Sequence, residues 1–195
     1  TAGVRHDNYS DFGGTTNPRA ALVWDATYDL TVKALWGKAF RAPAFLEAYG
    51  INPAQAGNPD IKPERIQSRE LAFNWQARKD VQANLNVFRY DMHDIIRVVP
   101  NATPNTGGTW QNTGSERGRG AELETIWDAS RTLRVTANGS WRRAVDLTTD
   151  QDAGYAPHSH YYLRADWRFA GGWQASAQGN RVLNRKRAFG DTREP

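Results

Sequence analysis

Along most of this chain apolar and polar residues alternate one by one, the period of a strand with two unlike faces. Residues 2–9 read as a first strand, and Ala20, Leu22 and Trp24 alternate with Ala21 and Val23 in a second. Leu30, Val32, Ala34 and Trp36 line one face of a third, with Thr31 and Lys33 on the other. Leu71, Phe73, Trp75 and Ala77 oppose Glu70, Ala72, Asn74 and Gln76; Val81, Ala83, Leu85 and Val87 oppose Gln82, Asn84 and Asn86. The pattern returns in Ala121, Leu123, Thr125 and Trp127 against Glu122 and Glu124, and in Leu133, Val135, Ala137, Gly139 and Trp141 against Thr132, Arg134, Thr136, Asn138 and Ser140. Tyr161, Leu163, Ala165, Trp167 and Phe169, then Trp173, Ala175 and Ala177, complete the series. It predicts about nine strands and no helix.

The connections alternate. Short turns are expected at 25–29, 78–80, 128–131 and Gly171-Gly172; loops are expected at 11–17, 38–65, 95–116 and 145–157. A soluble sandwich has no reason to keep its long loops at one end. A bacterial outer-membrane barrel has short turns at one end and long loops at the other, with one strand face toward lipid and one toward the lumen. Trp24, Trp75, Trp127, Trp167 and Trp173 all fall beside the short turns, which on antiparallel strands puts them at one height, as a membrane interface selects. Arg89 continues the apolar series of Val87 and so falls on the lipid face. Either it sits near the outer headgroups, where a charge costs about 0–1 kcal/mol, or a bulge re-aims it.

The stretch at 40–64 interrupts the alternation. Pro43, Pro53, Pro59 and Pro63 prevent a continuous helix or strand through it, while Phe40, Phe45 and Tyr49 give it apolar surface to pack. Gly37-Lys38-Ala39-Phe40-Arg41-Ala42-Pro43, followed by Gly57-Asn58-Pro59-Asp60-Ile61-Lys62-Pro63-Glu64, resembles the paired motif of TonB-dependent outer-membrane receptors, with Ile61 where Leu is usual. Gly3-Val4-Arg5-His6-Asp7, Gly118-Arg119-Gly120-Ala121-Glu122-Leu123-Glu124 and Tyr155-Ala156-Pro157-His158-Ser159-His160 extend the resemblance over most of the chain.

That resemblance implies an all-β chain, 1–195, forming part of a barrel of about 22 antiparallel strands. It implies active uptake of a scarce large nutrient, most often a ferric siderophore, across the outer membrane of a Gram-negative bacterium. The TonB complex would act through an N-terminal plug domain. Neither the plug nor a closing strand ending in an aromatic is recognisable here, and no stretch reads as a signal peptide, which for an outer-membrane protein is expected upstream of Thr1. The chain is therefore expected to be incomplete and not to transport alone. Within the motif, Phe40, Arg41, Pro43, Asn58, Pro59, Lys62, Pro63 and Glu64 carry a structural role by this resemblance, Arg41 anchoring the loop to the barrel wall.

Composition narrows the field. A mean hydropathy of −0.74 and no long apolar run exclude a transmembrane helix but not a barrel, whose alternating strands look hydrophilic on average. Zero Cys excludes disulfides and thiolate metal sites. Eight Trp and seven Tyr are many for 195 residues and suit interfaces. The net charge of +4 comes from Arg residues interleaved with acids, not from a nucleic-acid-binding stripe. The cluster at 181–187 reads as solvated loop.

No catalytic motif is present, so the chain reads as a non-enzyme. Glu122 and Glu124 share a strand face, either as a carboxylate pair or paired with Arg134 or Arg164. His158 and His160 also share a face near a loop rim. They are either metal or haem ligands or, more simply, hydrogen-bonded rim residues; two imidazoles alone do not make a site, and no metal is assigned. The ligand-contact candidates at the loop end are Arg41, Tyr49, Trp110, Tyr155, His158 and His160, since aromatic and basic groups suit large anionic, planar iron chelates. No covalent cofactor is expected; the partners are the TonB complex, outer-membrane lipid and the chelate. The alternative is a soluble all-β module, for example carbohydrate-binding, in which the apolar faces pack against each other in two sheets.

Overall fold

The computed structural model of the protein describes residues 1–52, 54–154 and 156–186. Its elements are β1 (Ala2–Tyr9), β2 (Gly13–Thr27), β3 (Leu30–Arg41), α1 (Phe45–Tyr49), β4 (Gln55–Ala56), β5 (Glu64–Arg78), β6 (Val81–Pro100), β7 (Gly108–Asp128), β8 (Leu133–Asp146), β9 (Gln151–Asp152), β10 (Pro157–Phe169) and β11 (Trp173–Arg185). All strands belong to one sheet in the order β1-β2-β3-β5-β6-β7-β8-β10-β11, each neighbour antiparallel, with β4 added beside β7 and β9 beside β8. The nine strands on this path are those the alternation predicts.

Among the described residues no second layer covers the sheet. Among the described residues the buried hydrophobics are only Ala48, Ile61, Ile96 and Ala144, while Leu22 is 66% exposed, Leu163 57% and Trp75 51%. A soluble sandwich would bury these faces. The two-sheet alternative therefore fails, and the apolar face is one that lipid must cover. The opposite face carries a polar groove lined by Asn74, Asn84, Asn86, Glu122, Glu124 and Asn138 among others.

The register gives the tilt. Trp24 lies opposite Val32, which lies opposite Phe73; Trp75 is two residues further toward the short-turn end, two strands on. The same displacement leads from Trp75, through Ala83 and Thr125, to Trp127, and from Trp127, through Val135 and Ala165, to Trp167. The tryptophans thus step one residue per strand. With ~3.4 Å per residue and ~4.8 Å between strands, a line with that slope is level if the strands lean by about 35°. Barrel strands lean by about that much. Trp173 ends the line opposite Phe169, whose ring packs on Trp167 at 4.9 Å.

The connections depart from expectation in length. The short turns hold, and positive φ angles of 79° and 78° at Gly171 and Gly172 explain the glycine pair there. The opposite end is less loopy than predicted. β2 pairs from Gly13, leaving only a tight turn at 10–12, so the first connection of this end is short. The loop expected at 95–116 shrinks to 101–107, because β6 and β7 continue past a bulge. Asp94 adopts φ 58° there, and the register slips between Met92 and Ile96. The slip exchanges the faces, so the alternation breaks although pairing continues. At 145–157 the chain folds β9 back onto Val145 and Asp146.

Three further expectations are corrected. A short helix, α1, lies between Pro43 and Pro53, which rule out a long helix but not a single one of five residues. Arg181 belongs to β11, not to a loop, because it pairs with Tyr161; Arg187 lies outside the described residues. Arg134 and Arg164 pair with Asp128 and Asp166, not with Glu122 or Glu124. Asp128 lies directly opposite Arg134, whereas Glu124 lies opposite Asn138. As for Arg89, the register from Leu85 through Met92 is unbroken, so no bulge re-aims it.

Candidate functional site

The long connection at 42–63 is a folded cap on the outer ends of β6 and β7. It starts from Arg41, the last residue of β3, which lies opposite Glu64, the first of β5. The guanidinium donates to both Glu64 carboxylate oxygens, at 2.7 and 2.9 Å, and to both Glu47 oxygens at 3.0 Å. Glu47 also accepts the Ala44 N–H at 2.6 Å, closing the first turn of α1. Glu64 accepts the Ile96 N–H at 2.8 Å from β6. One planar cation thus ties β3, β5 and α1 together, and its two carboxylate partners are buried residues.

Burial by itself would push the Glu64 carboxyl up. Hydrogen bonds from Arg41 and Ile96, with the charges of Arg41 and Arg97, outweigh that and hold it below the usual carboxylate range. Burial likewise works against the charge on Asp146, and the Thr148 N–H and Arg97, paired at 2.6 Å, more than compensate.

The second half of the motif finishes the anchorage. Asn58 accepts the Asp60 N–H in an Asx turn and donates to the Trp110 carbonyl at 3.0 Å. Ile61 is buried with Ala48 and Ile96, and Trp110 packs against that cluster. Lys62 and Asn112 bond reciprocally, at 2.7 Å through the Lys62 N–H and 2.8 Å through its carbonyl. Pro63, also buried, leads into Glu64. Phe40 turns to the other face, where it meets Tyr9 and Phe12.

The ligand candidates fall in different surroundings. Arg41 is committed to two carboxylates. Trp110 is in β7 and half-buried under the cap, not on a free loop. Tyr49 is exposed at the end of α1 and packs on Phe45 at 5.3 Å. Tyr155 lies outside the described residues. His158 and His160 both sit on β10; His158 bonds Asp152 at 2.5 Å and His160 bonds Asn180 at 3.2 Å. Among the described residues no three His, Asp or Glu converge as a metal site.

The polar groove of the inner face was not assembled by sequence reasoning. Asn74 donates to Asn84 at 2.8 Å, while the Asn86 and Asn138 side-chain oxygens have no partner. The signal was present in the even-numbered polar positions of β5 to β8, but collecting them needs the register between strands. Beside the groove, the Tyr90 and Phe88 rings lie across Gly118 and Gly120, where any Cβ would collide with them. That close approach accounts for two glycines inside β7.

The chain matches the family described as TonB dependent receptor-like, beta-barrel, over residues 1–194. It is 25% identical over 187 residues to heme/hemopexin utilization protein C of Haemophilus influenzae, covering 78% of this chain and 26% of that protein. It is 32% identical over 158 residues to the iron-regulated outer membrane virulence protein of Vibrio cholerae, covering 76% of this chain and 22% of that protein. Its fold superposes on a variant of the ferric enterobactin receptor of Pseudomonas aeruginosa with a TM-score of 0.75 at 20% identity, over 93% of this chain and 29% of that one. The chain spans about a quarter of the length of the curated relatives it matches.

Proposed function

Because the chain belongs to the TonB-dependent receptor β-barrel family of the Gram-negative outer membrane, whose members are transporters and not enzymes, we propose that it forms wall and outer rim of a receptor for a ferric siderophore. Energy for uptake comes from the TonB complex acting on the whole receptor. The observation that carries this reading is the cap at 42–63. It is bolted to the wall through Arg41, Glu64 and Asn58, yet it presents Phe45 and Tyr49 as a tilted aromatic pair to the outside. Exposed aromatics on a rigid mount suit a planar, aromatic iron chelate. The name of the Pseudomonas relative, a ferric enterobactin receptor, points the same way, and that of the Vibrio relative points to iron.

Haem is the second reading. It is favoured by the two imidazoles on β10 and by the name of the Haemophilus relative. Growth tests separate the two. A strain stripped of other iron receptors and carrying the full-length protein is supplied with ferric siderophores or haem as sole iron source, with and without TonB. TonB-dependent growth on a siderophore supports the first reading. Growth on haem alone, lost in His158→Ala/His160→Ala, replaces it with the second. Growth on neither rejects both.

A further inference from the structure

The outward face changes character abruptly above its apolar rows. Arg69 lies opposite Arg89, Arg89 opposite Arg119, and Arg119 opposite Arg143, an unbroken row of four arginines across β5 to β8. All four are exposed and share the face of Leu71, Val87 and Ala121, which form the next row below. Lys38 on β3 and Arg181 on β11 extend the basic character to either side. On these strands, among the described residues and below the bulge at Asp94, the outward face carries one acid, Asp91. It is taken by Arg117 at 2.6 Å and lies 3.7 Å from Arg89. The remaining acids of β5 to β8 lie on the polar face, at the bulge or at strand ends.

Like charges directly opposite each other on a sheet destabilise it. Three such contacts in succession therefore call for an anion from outside the chain. Their height says which. Arg69 is six residues from Trp75 on β5, and Arg119 is eight from Trp127 on β7. For a tilted strand that is about 16–22 Å above the tryptophan line, the far edge of an apolar band about 25 Å tall. Trp36, Trp141 and Tyr161 lie in or just below the same zone. A guanidinium at that height faces lipid headgroups, and its fork matches phosphate oxygens.

We propose that Lys38, Arg69, Arg89, Arg119, Arg143 and Arg181 form a binding surface for the phosphorylated headgroups of outer-leaflet lipid. The inference rests on the barrel reading of the outward face, and not on which nutrient is carried. The lipid phosphates neutralise the row, so that the barrel wall and its lipid annulus stabilise each other.

The test uses the full-length receptor in detergent, with bis-phosphorylated lipid A and its dephosphorylated form as probes, followed by native mass spectrometry. The expected result is retention of the phosphorylated lipid, with affinity falling about tenfold or more in Arg89→Gln/Arg119→Gln/Arg143→Gln and only partly restored in the corresponding triple Lys variant, which keeps the charge but not the fork. Equal binding of the dephosphorylated lipid, or unchanged affinity in the Gln variant, overturns the proposal. So does full displacement by inorganic phosphate, which reduces the row to a general anion site. If the Gln triple does not fold, Arg119→Gln alone is expected to weaken binding and flatten its salt dependence, and no change in either counts against the proposal. Quenching of Trp36 and Trp141 by brominated lipid checks the barrel reading separately: if neither is quenched, the outward face does not meet lipid and that reading fails first.

Discussion

Arg41 and Glu64 close β3 onto β5 through two parallel hydrogen bonds, at 2.7 and 2.9 Å, and the same guanidinium holds Glu47 of α1. The pair stands at the one place where a strand gives way to the longest connection. Arg41→Ala leaves two buried carboxylates facing each other. Loss of one partner from a buried pair costs about 3–5 kcal/mol; because the Arg41 side chain is 47% exposed, about 1–3 kcal/mol is expected here. Hydrogen exchange should accelerate in 42–63 and leave β8 to β11 unchanged. A uniform acceleration would mean that the pair supports the whole wall and not the cap.

The same site predicts an acid-sensitive cap. Folding holds Glu64 below its ordinary value of 4.5, so its stabilisation is complete above that value and is lost as pH falls through the folded value. Proteolysis of 42–63 by an acid-active protease should rise as pH drops below about 4.5, and Glu64→Gln should make cleavage nearly independent of pH. A wild-type profile that stays flat down to pH 3 would contradict this account.

Gly118 predicts a coupling. A methyl group there meets the Tyr90 ring, so Gly118→Ala is expected to cost about 1–3 kcal/mol by overpacking. Tyr90→Ala removes the obstacle, and the double variant should be more stable than the sum of the single effects allows. Unfolding of the full receptor in guanidinium measures the cycle. Additive losses would show that the glycine serves some other purpose.

The tryptophan line predicts equal depths. Single-tryptophan variants retaining Trp24, Trp75, Trp127 or Trp167, read by lipids brominated at graded positions, should place the four indoles within about 3 Å of one another. A steady drift of depth from β2 to β10 would mean that the strands do not lean as the register requires.

Much of the fold was legible because period-2 alternation survives wherever one face meets lipid and the other water. Leu71 to Ala77 and Leu133 to Trp141 show this most plainly. It failed where that contrast disappears. Beyond Met92 a bulge exchanges the faces, and Ile96 is buried by the cap from above, so β6 looked like loop for its last residues. α1 was hidden for a different reason: at five residues it is too short to display a helical period. Of the site, the motif residues were legible individually. That Arg41 binds two carboxylates at once was not, because Glu47 reaches it only when α1 forms. The arginine row was similarly invisible. Arg69, Arg89, Arg119 and Arg143 are scattered in the chain and become neighbours only through the pairing of four strands.

The one-residue step between strands has a geometric consequence beyond tilt. A cylinder whose register advances one residue per strand has a shear number equal to its strand count, and its radius then depends on that count alone. For about 22 strands spaced ~4.8 Å apart, this slope gives a backbone radius of roughly 20 Å. The hydrogen-bond register of each neighbouring pair therefore fixes the lean of the wall, and the bore follows once the number of strands is set.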